Sequence, residues 1–73
     1  MSVKLKSEVV GSVWKCECVT GQTVDEGDVL FIIESMKMEI PVEATHAGTV
    51  SDILVKEGES IAEGQLLAVI ERA

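Results

Sequence analysis

Apolar and polar residues along this chain follow the spacing of strands. Segments 3–6, 11–18, 29–35, 38–42, 48–55 and 66–71 are rich in Val, Ile and Leu, in alternating or short continuous apolar runs. Shorter extended pieces are expected at Thr23-Val24 and Ser60-Ile61, and no window sustains the periodicity of a helix. Gly21 and Gly58 stand where a turn should reverse the chain, and Gly27-Asp28 and Gly64-Gln65 stand immediately before a strong strand. Pro41, which cannot donate to a ladder, fits an edge strand or a strand end.

The pattern occurs twice. At an offset of 37, Gly11, Val13, Gly21, Glu26, Gly27, Leu30, Ile33 and Glu34 match Gly48, Val50, Gly58, Glu63, Gly64, Leu67, Ile70 and Glu71, without a gap. One copy spans residues 1–36 and the other 38–73, with Lys37 between them. A single copy has an apolar face and nothing to cover it, whereas two copies can bury those faces against each other. The expected fold is all-β: a flattened barrel or sandwich of two four-stranded antiparallel sheets with a pseudo-twofold axis, as one domain over residues 1–73.

Residues 29–42 would make one strand longer than strands usually run, so the segment should break. The repeat places the break at Met36-Lys37, where the last strand of the first copy meets the first strand of the second. The pseudo-twofold then puts this tip at one end of the molecule and both termini at the other. The turn has no Gly, Asn, Asp or Pro at its centre, which predicts either backbone strain or a looser turn. Between Lys15 and Lys56 the acidic residues are Glu17, Asp25, Glu26, Asp28, Glu34, Glu39, Glu43 and Asp52, and Lys37 is the sole Lys or Arg. Met36 and Met38 flank it, and at a tip they cannot both be buried, so they offer soft contact area to a partner.

Charge narrows the function classes. With a net charge of −7, the surface disfavours nucleic acid and anionic membranes. No apolar run approaches the roughly 20 residues that cross a bilayer, and residues 1–6 lack a signal-peptide core, so a cytoplasmic chain is expected. Cys16 and Cys18 are read as reduced, structural residues, because i and i+2 on a strand are poorly placed for a disulfide. A metal-carrying role for the pair is the less favoured reading, and no metal site is expected. Trp14 alternates with Cys16 and Cys18, which suggests the core, but a β-bulge near Gly11 would turn it outward. With His46 the single histidine and read as a surface turn residue, no hydrolytic triad is available and no catalytic residue is assigned.

The segment Glu34-Ser35-Met36-Lys37-Met38-Glu39 closely resembles the attachment motif of biotin carboxyl carrier proteins, usually written Glu-Ala-Met-Lys-Met. Ala47-Gly48-Thr49-Val50 and the turns at Lys56-Glu57-Gly58-Glu59 and Glu63-Gly64-Gln65 are similar to that family as well. The resemblance implies a biotinyl/lipoyl barrel with Lys37 joined to biotin by a biotin-protein ligase. Glu34, Ser35 (in place of the usual alanine), Met36 and Met38 would be read by the ligase and by partner enzymes. It further implies a non-catalytic carrier in a biotin-dependent carboxylase. The carrier would serve a biotin carboxylase and a carboxyltransferase, with an acyl-CoA as acceptor, as in acetyl-CoA carboxylase and fatty acid biosynthesis. Lipoate, alone or besides biotin, is the alternative cofactor, although lipoyl sites more often resemble Asp-Lys-Ala; an unmodified scaffold domain is the reading from another class. The spacings from Gly11 to Gly21 and from Gly48 to Gly58 are equal, so the protruding thumb of some family members is not expected. The chain resembles a free-standing carrier subunit, or a fragment made to look like one, and nothing in the sequence demands more than a monomer.

Overall fold

The Val- and Ile-rich segments pair into β1 (Ser2–Lys6), β2 (Gly11–Cys16), β3 (Thr23–Val24), β4 (Val29–Ser35), β5 (Met38–Glu43), β6 (Gly48–Ile53), β7 (Ser60–Ile61) and β8 (Leu66–Arg72). The computed structural model describes residues 1–72, and among them these eight strands are the regular structure. β2, β3 and β4 recur 37 residues later as β6, β7 and β8 with the same bounds. Two four-stranded antiparallel sheets result, in the orders β1-β8-β6-β3 and β5-β4-β2-β7. Adding the repeat offset turns one order into the other, so the pseudo-twofold exchanges the sheets.

The two copies are interleaved rather than stacked, which differs from the expectation that each would present its own face. Each sheet takes two strands from each copy. The cause is the turn at Met36-Lys37. A two-residue connection forces β5 to pair with β4, which carries the first strand of the second copy into the sheet of the first. By the same symmetry β1 lies beside β8. Pro41 lies on β5, a sheet edge, as its missing N–H requires, and its symmetric counterpart β1, an edge of the other sheet, carries Lys4 and Lys6.

Bulges repeat with the same period. Val13 pairs with Ile33 and Lys15 with Ile32, which leaves Trp14 as an extra residue. Val50 pairs with Ile70 and Asp52 with Val69, which leaves Ser51. The bulge settles the orientation of Trp14: it faces solvent, 45% exposed. A second pair falls at Leu30 and Leu67 and lets adjacent residues, Leu30-Phe31 and Leu67-Ala68, both enter the core. The buried residues are nearly all symmetric partners: Val13 with Val50, Val24 with Ile61, Leu30 with Leu67, Ile33 with Ile70. Phe31 against Ala68 is the unequal pair, large matched to small.

Strands predicted to reach residues 18 and 55 end at Cys16 and Ile53. One further ladder bond follows in each, from Glu17 N–H to Leu30 O (2.8 Å) and from Leu54 N–H to Leu67 O (2.9 Å), before the chain turns inward. Cys18 and Val55 then enter the core from equivalent places. Valine at 55 shows that the position asks for a small apolar side chain, and Cys18 is a free thiol, as is Cys16. Burial, with Cys16 beside it, pushes the Cys18 thiol up to about 12, so it stays protonated at neutral pH. Residues 17–22 and 54–59 make the same connection in the two halves, with no protruding thumb.

Candidate functional site

β4 and β5 close at the pair Ser35 and Met38, leaving Met36 and Lys37 as a two-residue loop. Both take positive φ, 51° and 65°, and they are the non-glycine residues that do so among those described. This is the backbone of the mirror-image turn that matches strand twist, whose favoured residues are Asn-Gly. The expected choice between strain and a looser turn is thus decided for strain. Each such residue costs on the order of 1–2 kcal/mol relative to glycine.

The base of the loop is held firmly. Ser35 Oγ donates to the Val10 carbonyl at 2.7 Å, which ties β4 to the segment between β1 and β2. Beneath it, Gly11 approaches the Glu34 carbonyl so closely that a Cβ there would overlap the oxygen. Sequence reasoning did not single out Val10 or Gly11 as supports of the tip. The identity of Gly11 with Gly48 was the available signal, since paired glycines within strands indicate close backbone approach.

Above that base the loop is bare. Met36 is 92% exposed and Met38 61%, and Lys37 is exposed between them. Among the described residues its amine has no hydrogen-bond or ion-pair partner. Glu34 and Glu39 pair across β4 and β5 one step below the closing pair, and both are exposed. At the symmetric position, Arg72 N–H donates to Met1 O at 2.9 Å, and the terminal amine lies 3.7 Å from Glu71. Met1 and Arg72 are therefore the open counterpart of the tip. β1 and residues 7–10 carry the chain from Met1 to Val10 beside Ser35, so this pair and the tip lie at opposite ends of a body measuring 35 × 17 × 17 Å.

Among the described residues no group of three or more His, Cys, Asp or Glu is placed to hold a metal ion. His46 lies in a bend, half-buried, its Nδ1 3.0 Å from Thr45 Oγ1. The site's chemistry is that of one accessible primary amine on a stiff hairpin.

The strain is testable. Replacing Met36-Lys37 by Asn-Gly is expected to stabilise the chain by about 2 kcal/mol and raise the thermal midpoint by roughly 10 °C. A midpoint that does not rise would mean the turn is relaxed.

The family model described as "Biotin-requiring enzyme" matches residues 2–70. The chain is 46% identical over 70 residues to a biotinylated protein TB7.3 homolog of Mycobacterium leprae, covering 96% of this chain and 99% of that one. It is 38% identical over 60 residues to a biotin/lipoyl attachment protein of Bacillus subtilis, covering 82% of each. Among solved structures, the urea carboxylase of Kluyveromyces lactis superposes with a TM-score of 0.91 at 42% identity, over 97% of this chain and 6% of that one.

Proposed function

The chain belongs to the family of biotin/lipoyl attachment domains, carriers rather than catalysts, and we propose that Lys37 carries the attached group and that the group is biotin. The observation that carries this reading is the apex position of Lys37: an unpartnered amine on a strained two-residue turn, at the end of the molecule far from Met1 and Arg72. Met36 and Met38 support biotin over lipoate, through the likeness of Met-Lys-Met to the biotin motif. Lipoate is the second reading, favoured by the breadth of the Bacillus relative's name.

The residues fit a covalent arm. Nothing overhangs the amine, and the flanking thioethers give a partner adaptable apolar contact. In loading, Lys37 Nζ attacks the acyl carbon of biotin activated as its adenylate by a biotin-protein ligase. The ammonium first gives up one proton to free the attacking lone pair. The N–C bond then forms, the acyl C–O bond to AMP breaks, AMP leaves, and the new amide nitrogen releases a second proton to solvent. The net charge passes from −7 to −8. Attached biotin supplies a ureido nitrogen able to carry a carboxyl group. The protein's part is to hold that arm on a rigid hairpin and present it at high local concentration to two active sites. Those sites are a biotin carboxylase and a carboxyltransferase whose acceptor is an acyl-CoA.

Two parallel incubations test the choice of group: biotin, ATP and a biotin-protein ligase, against lipoate, ATP and a lipoyl ligase. Stoichiometric biotin with trace lipoate is expected. The reverse would transfer the site to lipoate, and incorporation of neither would overturn the carrier role of Lys37.

A further inference from the structure

The pseudo-twofold supplies an internal control for which surface residues the fold needs. On the outer face of the tip-bearing sheet, one cross-strand row reads Lys15, Ile32, Pro41, with the bulged Trp14 beside it. The equivalent row on the other sheet reads Asp52, Val69, Lys4, with Ser51 at the bulge. At Ser51 the fold is content with a hydroxyl that donates to the Val69 carbonyl at 3.2 Å. Trp14, with 45% of its surface in solvent and the Lys15 amine 5.5 Å from its ring centroid, is therefore not required by the bulge. The sheets differ where the fold treats them alike, and the apolar one carries Lys37.

We infer that the outer face of β2, β4 and β5, centred on Trp14 and Ile32, is a docking surface for the enzyme that acylates Lys37. The inference rests on the carrier reading of Lys37. Two observations select this occupant. The first is reach. Ile32 lies three residues from the closing pair, about 10 Å along the strand. An enzyme that modifies the bare amine must come within one lysine side chain of the hairpin, so its surface extends down this face. An enzyme acting on the end of a long attached arm can stand farther back. The second is charge. The row between Trp14 and the tip carries Glu34 and Glu39, so the partner surface has basic groups bordering an apolar slot that receives the indole.

Trp14→Ser places at the bulge the residue that its symmetric counterpart already uses, and Ile32→Ser removes the neighbouring apolar contact. The test compares ligase kinetics on the whole chain. For both variants KM is expected to rise about tenfold or more, with kcat within about twofold and the thermal midpoint of Trp14→Ser unchanged. Val69→Ser, at the position equivalent to Ile32 on the other sheet, is expected to leave KM as it is. An unchanged KM for Trp14→Ser, or an equal rise for Val69→Ser, would overturn the inference while leaving the carrier role intact. So would a wild-type dimer that Trp14→Ser dissociates, since the face would then belong to a second copy. Failure of the wild-type chain to be loaded at all would remove both readings.

Discussion

Lys37→Arg is expected to abolish loading and to leave the thermal midpoint unchanged. Arginine keeps the positive charge, and it meets the same backbone cost at φ 65° as lysine. It also keeps a long exposed side chain where nothing is packed. What it loses is the nucleophile: a guanidinium stays protonated and its nitrogens do not attack an activated acyl group. Exposed substitutions of this kind move stability by no more than about 0.5 kcal/mol, under about 4 °C here. Lys4, Lys6, Lys15 and Lys56 remain in the variant as exposed amines, so a complete loss assigns the chemistry to position rather than to basicity. Biotin incorporation by the variant, followed by mass, would contradict this.

Gly48→Ala is expected to cost about 3 kcal/mol or more and to lower the thermal midpoint by at least 12 °C or so. Gly48 is buried, and its Cβ would overlap the Glu71 carbonyl oxygen and come within 2.8 Å of the Glu71 carbonyl carbon. The obstacle is backbone, so no rotamer relieves it. β6 and β8 must part, although β8 is the strand that joins β6 to β1. The total stability of a chain this short is on the order of 4–11 kcal/mol, so the loss is a large fraction. Gly11→Ala meets the Glu34 carbonyl in the same way and in addition displaces the base of the tip. Thermal melts of the two variants check the prediction, and midpoints near wild type would show that the strands separate at little cost.

The repeat made most of the fold legible. A gapless offset of 37 carries strand positions from one half to the other, and the structure keeps it in strand bounds and in bulges. It did not reveal interleaving, because apolar alternation says which face of a strand is buried and not which strand lies beside it. Trp14 shows where alternation misleads. A bulge shifts the phase by one residue, so counting from Cys16 puts the indole inside, and the register puts it outside. The clue lay in the repeat: its counterpart is Ser51, a poor candidate for a core position. At the tip, the repeat boundary found the turn, but neither Met36 nor Lys37 has the preference for positive φ that would have announced its geometry. The short connection brings β4 and β5 together, and closing it in two residues requires positive φ that Met36 and Lys37 do not favour, at the place where the proposed function needs an amine.

The most direct test of the central claim is intact mass with peptide mapping after incubation of the chain with biotin, ATP and a biotin-protein ligase. Gain of a single biotinyl group on the peptide containing Lys37 is the predicted result. No gain, or a gain mapped to another lysine, would contradict it.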